Sequence, residues 1–189
     1  MSSHHIVREK QEPALYIQSL AGFDHEHLGQ LLEWSPVVLV DEKEYERVHA
    51  IGIKMDTVIA AGKTDDLQAH ITTIESKSDN FSTALKYLVT GGHTAVNVVT
   101  DVFDLKEAWF FADKISMVIL CDRRKIYPVK SGFTKWLAAG ELLRLHQPVE
   151  LSQHGNLEKL NDTDYRVIRD GFISLSFQEP MLFISESID

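Results

Sequence analysis

The sequence predicts an α/β protein, an N-terminal mostly parallel sheet flanked by helices followed by a smaller antiparallel all-β domain. Three observations carry that expectation. Up to about Cys121, short apolar runs alternate with amphipathic stretches of helical period, the texture of strand–helix repeats. Beyond it the helical period fades, and short apolar runs are separated by Gly, Pro, Asn and Asp. The chain of 189 residues, 44% hydrophobic and 25% charged, can bury a sizeable core as one domain or two small ones. The change of texture places an α/β domain at 1–118 and a β-sandwich-like domain at 119–189, with a tight junction between Lys114 and Asp122.

In chain order, "ALYIQSL" reads as a strand, and "HEHLGQLLEW" as a helix because Leu28, Leu31, Leu32 and Trp34 recur at helical spacing. "VVLVD" is the next strand, and "EYERVHAIG" is a helix that stops at Gly52. The runs "TVIA" and "HITTI" are strands. In "DNFSTALKYLVTGG", Phe81, Ala84, Leu85 and Leu88 form one stripe, and Gly91-Gly92 ends the helix. "AVNVVT", "DLKEAWFFA" and "ISMVILC" continue as strand, helix and strand. The later runs "KIYPV", "ELLRLHQ", "YRVI", "FISLSF" and "MLFISE" read as short antiparallel strands.

The net charge of −9 would repel phosphate backbones, and no basic cluster exceeds "DRRK", so nucleic acid is not an expected partner. No apolar run reaches the roughly 20 residues that span a bilayer, and "MSSHHIVREK" lacks the apolar core of a signal peptide. A single cysteine, Cys121, cannot form an intrachain disulfide and ends an apolar run, which fits a buried thiol and a cytoplasmic location.

Several short constellations carry possible chemistry, each with a plainer reading. His25 and His27, two apart on a helix, point to different sides and cannot chelate together, so a solvated helix start is expected. Glu107 follows Asp104 by three residues, the spacing of a capping box. "GKT", Gly62 to Thr64, is similar to the end of a phosphate-binding loop, but no Gly stands five residues before Gly62. "ESKSDN", Glu75 to Asn80, opens a helix whose amides could hold an anion or be capped by Ser78 or Asp79.

The order of segments from about Val37 to Pro148 resembles the thiamine pyrophosphokinase family. "VVLVDEKEYERVHAIGIKMDTVIAAGKT" follows that family's Asp-bearing loop, "GIKPD", hydrophobic strand and Gly-Asp-x-Asp-Ser. "ESKSDNFSTALKYLVTGGHTAVNVV" is similar to its acidic, Thr-Asp-containing helix start and the Ala-Leu-x-Tyr/Phe-Leu that ends the helix. "DLKEAWFFADKISMVILCD" and "RKIYPVKSGFTKWLAAGELLRLHQP" resemble its next helix and strand and its β hairpins. The resemblance implies transfer of pyrophosphate from ATP to thiamine with Mg²⁺ held by carboxylates, giving AMP and thiamine diphosphate. It also implies a homodimer with substrates at the subunit boundary.

The resembled framework lacks much of that chemistry. Gly-Asp-x-Asp-Ser falls on Ala60, Ala61, Gly62, Lys63 and Thr64, so both carboxylates are missing and Lys63 brings a positive charge to a metal position. Lys77 replaces another acid, Asp79-Asn80 stands where Thr-Asp is expected, and Leu105 follows Asp104 where the family has His. Glu42, Lys43 and Glu44 follow Asp41 in place of small residues. By resemblance, Asp41, Glu75, Asp79 and Asp104 are the catalytic candidates. Gly62, Lys63, Thr64, Lys77, Ser174 and Ser176 are the ligand-binding candidates, and Asp65 and Asp66 the displaced metal candidates. The expected function is a thiamine pyrophosphokinase-family protein of weak or lost activity that binds a thiamine-like or nucleotide molecule. The alternatives are an active enzyme that uses Mg²⁺, ATP and displaced acids, or a non-catalytic ligand-binding or dimerisation module.

Overall fold

A computed structural model of the chain describes residues 12–62, 70–77 and 79–188. The chain divides after Met117 into two compact units, and the division falls inside one strand.

The first unit begins with β1 (Ala14–Ile17), α1 (His25–Leu32), β2 (Val38–Asp41), a 3-10 turn (Glu42–Glu44), α2 (Tyr45–Ala50) and β3 (Thr57–Ala60). It continues with β4 (Thr72–Glu75), α3 (Asn80–Thr90), β5 (Ala95–Val99), α4 (Leu105–Phe111) and the start of β6 (Ser116–Cys121). Every residue of β1, β2 and β3 is buried, which explains why these strands read as unbroken apolar runs rather than alternating ones. Strands β5, β1, β2, β3 and β4 lie in that order and are parallel. From β1 the chain steps outward to β2, β3 and β4, then returns to place β5 on the other side of β1. The strand order therefore reverses between β1 and β5, the kind of place where open α/β sheets form a crevice at the strand ends.

Helix α3 shows how local sequence sets this frame. Phe81, Ala84, Leu85 and Leu88 are its buried stripe, as their spacing predicts. Gly92 stops it in the left-handed region at φ 78°, a backbone state that glycine adopts without a side-chain penalty.

The second unit holds the rest of β6 and then β7 (Arg124–Val129), β8 (Phe133–Leu137), β9 (Leu142–Leu145), β10 (Gln153–Gly155) and β11 (Leu157–Lys159). It ends with β12 (Asp164–Val167), β13 (Gly171–Ser176) and β14 (Leu182–Ser187). Among the described residues, the second unit orders its strands β11-β12-β9-β14-β7-β6 in a larger sheet and β10-β13-β8 in a smaller one. Ladders within the second unit are antiparallel. The expected fold class, a parallel α/β part followed by an antiparallel β part, is the one observed. Strands β8, β10 and β11 are additions to the elements legible in the sequence.

The smaller sheet has two unlike faces. Ile173 and Leu175 are buried, whereas Phe172 pairs with Trp136 across the ladder and both are exposed. Cys121 is buried, as its place at the end of an apolar run predicts.

Candidate functional site

In the first unit, Asp41, Glu75, Asp79 and Asp104 all lie where a parallel strand ends or where the following helix begins. Asp41 closes β2 and is buried. Its Oδ1 accepts the Lys43 amide at 3.2 Å, and its Oδ2 accepts Asn80 Nδ2 at 2.9 Å. Asp41 thereby caps the 3-10 turn and ties the end of β2 to the start of α3.

The neighbouring residue does similar work. Glu42 Oε2 accepts the Ala61 amide at 3.1 Å, so a carboxylate from the β2 end holds the chain just past the end of β3. Across β3 and β4, Ala60 pairs with Glu75, and the Ser76 amide donates to the Ala60 carbonyl at 2.7 Å. Glu75 itself is exposed on the outermost strand, and Lys77 is exposed beyond it.

Asp79 is the N-cap of α3, accepting the Ser82 amide on Oδ1 at 2.5 Å. Thr83 Oγ1 donates to the Asp79 carbonyl at 2.8 Å and lies 3.2 Å from Ser76 Oγ, joining the end of β4 to the helix. Asp104 is the N-cap of α4, where its Oδ1 accepts the amides of Lys106 at 2.7 Å and Glu107 at 3.2 Å. Capping was the plainer reading of both the Asp104 and the Asp79 segments, and it is the one the geometry realises.

Charge concentrates at this edge. Tyr16, in the middle of β1, is wholly buried, and its hydroxyl has no hydrogen-bond partner among the described residues. Burial pushes its pKa up, reinforced by the charges of Asp41, Asp79 and Glu107. Glu107, half-buried in the first turn of α4, is also pushed up, first by burial and then by Asp79 and Asp104. Asp41, Asp79, Asp104 and Glu107 thus belong to one electrostatic neighbourhood around the end of β1.

Gly62 is half-buried just past β3, with open space where a side chain would project. Lys63, Thr64, Asp65 and Asp66 lie outside the described residues, as does Ser78. Ser174 and Ser176 lie in the second unit on β13, half-buried on the strand face opposite Ile173 and Leu175. Ser174 pairs with Gly155 on β10, where a Cβ would come within 2.5 Å of Ser174 Oγ. Only glycine leaves that hydroxyl its position.

A hard-cation site needs several oxygen ligands converging on one point. Among the described residues no group of three or more His, Cys, Asp or Glu side chains is placed to hold a metal ion. Asp41, Glu42, Asp79 and Asp104 each accept a backbone amide instead. The described residues therefore do not fit a resident Mg²⁺.

Sequence reasoning did not select Tyr16, Glu42 or Glu107 as site residues. Tyr16 sits inside an apolar run and reads as core. Glu42 registers only as a departure from small residues, and Glu107 only as half of a capping pattern.

No protein-family model matches the chain, and no curated protein matches it in sequence. Solved structures do match. A probable thiamine pyrophosphokinase from Staphylococcus saprophyticus superposes with a TM-score of 0.66 at 11% identity, over 94% of this chain and 99% of its own. Yeast thiamin pyrophosphokinase gives 0.65 at 8% identity, over 98% and 88%. Thiamin pyrophosphokinase from Candida albicans gives 0.62 at 10% identity, over 94% and 90%. The chain has the thiamine pyrophosphokinase fold across nearly its whole length. Among the described residues, no helix is long and apolar enough to cross a membrane.

Proposed function

We propose that this chain, built on the thiamine pyrophosphokinase fold, is a small-molecule-binding protein in which pyrophosphoryl transfer is weak or lost. One observation carries the reading. Backbone amides just past β3 and in the turns and helix starts that follow the parallel strands, the kind of groups that can bind a phosphate, are held by the chain's own carboxylates. Lys43 is held by Asp41, Ala61 by Glu42, Ser82 by Asp79, and Lys106 and Glu107 by Asp104. An incoming phosphate would have to displace a bonded anion and then remain beside it, which electrostatics opposes in a partly desolvated site.

The ligand is a thiamine-like or nucleotide molecule, and the assembly is a homodimer. Both attributions rest on the likeness in fold to proteins described as thiamine pyrophosphokinases. The reading of Asp65 and Asp66 as displaced metal ligands belongs to the competing proposal of an active enzyme. Ser174 and Ser176, with Gly62, Lys63, Thr64 and Lys77, remain the proposed ligand contacts.

Two measurements test the proposal. Calorimetric titration with thiamine, thiamine diphosphate and ATP, with and without Mg²⁺, should show binding of a thiamine-like ligand without tight Mg²⁺-dependent ATP binding. AMP release from ATP and thiamine should stay near the uncatalysed background. Turnover at about 1 s⁻¹ or faster, the ordinary range for enzymes, would establish the active enzyme instead.

A further inference from the structure

A cavity of about 320 Å³ opens where β2 and β3 begin, at the opposite end of β2 from Asp41. Leu32, Pro36, Val38 and Ile53 give it apolar walls, and Ser35, Lys54 and Asp56 bring polar groups to the same lining. Gly52 also lines it, at φ 76° and with nothing within 4 Å of where a side chain would start, so the mouth stays open. None of the lining residues takes part in the carboxylate–amide contacts beyond the other ends of the strands.

Hydrogen bonds fix its walls. The Val38 amide donates to Asp56 Oδ2 at 2.9 Å and the Asp56 amide to the Val38 carbonyl at 3.0 Å, clamping the starts of β2 and β3 together. The Ser35 amide donates to the Leu32 carbonyl at 3.0 Å and the Ile53 amide to the Val48 carbonyl at 3.3 Å, tying each segment to the helix it leaves. A cavity of this size, with apolar walls and a few placed polar groups, has the make-up of a preformed small-molecule site.

The polar groups decide what fits. Lys54 Nζ lies 3.6 Å from Asp56 Oδ1, an ion pair longer than a hydrogen bond, so the ammonium keeps N–H donors for another acceptor. Asp56 is engaged on both oxygens, by the Val38 amide and by Lys54. The complementary ligand head is therefore an anion, and the walls call for a hydrocarbon body. A phosphate dianion would be repelled by Asp56 more strongly than a carboxylate, so a single negative charge fits better.

We infer that this cavity binds a small apolar monocarboxylate of aryl-acid size, its carboxylate on Lys54 and its hydrocarbon body against Leu32, Pro36, Val38 and Ile53. Asp56 is a positioning residue that holds the start of β2 and steadies the Lys54 head. The inference is independent of the preceding functional reading, since the two sites share no residue.

Phenylacetate is the probe. Calorimetric titration into the full chain should show saturable single-site binding that weakens as salt is raised. Acetate, which lacks the hydrocarbon body, and phenylacetamide, which lacks the charge, should bind at least about tenfold more weakly. Lys54→Met, which keeps the length of the side chain and removes its charge, should weaken phenylacetate by about tenfold without changing the weaker binding of phenylacetamide. Lys54→Arg should retain most of the affinity. The Lys54 side chain is 79% exposed, so both variants should melt close to the parent. An excess of thiamine diphosphate should leave phenylacetate binding unchanged.

The proposal is overturned if phenylacetate binds no better than acetate or phenylacetamide, if phenyl phosphate binds more tightly than phenylacetate, or if Lys54→Met leaves phenylacetate affinity unchanged. Competition by thiamine diphosphate would also overturn it, by merging the cavity with the other site. Should Lys54→Met fold poorly, the comparison of ligands on the parent protein still decides the matter. AMP production would refute the preceding functional reading, whereas failure of phenylacetate to bind refutes this one alone.

Discussion

Glu107 stands in the first turn of α4, where the positive end of the helix favours an ionised carboxylate. Burial and the nearby charges of Asp79 and Asp104 outweigh that effect and push its pKa up. The folded chain consequently keeps a proton there over a pH interval in which the unfolded chain has lost it. Its contribution to stability falls as pH rises from the ordinary Glu range through the raised folded value. Glu107→Gln should therefore stabilise the protein at pH 7 by at most about 0.5 kcal/mol, since solvent screens a half-exposed side chain. At about pH 3, where glutamate is protonated in both states, the gain should vanish. Urea unfolding at the two pH values reads the difference, and an equal gain at both would contradict the electrostatic origin.

At the scale of elements, α3 is fixed at one end by Asp79 and at the other by Gly92. Asp79→Ala should cost about 1 kcal/mol in urea unfolding, while Asp79→Asn should retain most of the cap. If both changes cost the same, the carboxylate charge is doing more than capping. Helix starts at Asp79 and Asp104 are accessible from sequence because a cap is local chemistry, a carboxylate placed two or three residues before the amides it accepts. The strands that escaped notice have no comparable local signal. Phe133–Leu137 lies between Gly132 and Gly140 and alternates imperfectly, and its identity as β8 depends on pairing with β13, more than thirty residues away in sequence. Residues 153–155 are all exposed, and β11 has one buried side chain, Leu157, so neither forms an apolar run. Tyr16 was hidden for the same reason: its chemistry comes from Asp41, Asp79 and Glu107, which only the folded sheet brings near it.

For the molecule as a whole, acid should be the more damaging direction of pH. His146, half-buried, is pushed down from 6.5 to about 4 by burial and then by Arg144 and Arg124. Its contribution is fully present above the ordinary histidine value and is lost as pH falls toward the depressed one. Asp164 is lowered by its hydrogen bonds from Arg144, at 2.6 and 3.3 Å, and from Asn161, so its contribution disappears below the ordinary aspartate range. Urea midpoints should therefore decline between pH 6.5 and 4.5, and His146→Gln should flatten that decline. A decline of unchanged slope in the variant would assign it to other groups. The carboxylates seated on these loop and helix-start amides have a separate consequence, for access rather than for pH. Freeing one amide for an outside anion first removes a contact worth about 0.5–1.5 kcal/mol, from a total that is commonly about 5–15 kcal/mol. Because the amides lie in the 3-10 turn, just past β3 and in the first turns of α3 and α4, no single substitution frees all of them. The arrangement is redundant: removal of any one of these carboxylates leaves the other amides occupied, so an outside anion gains access to one segment at a time.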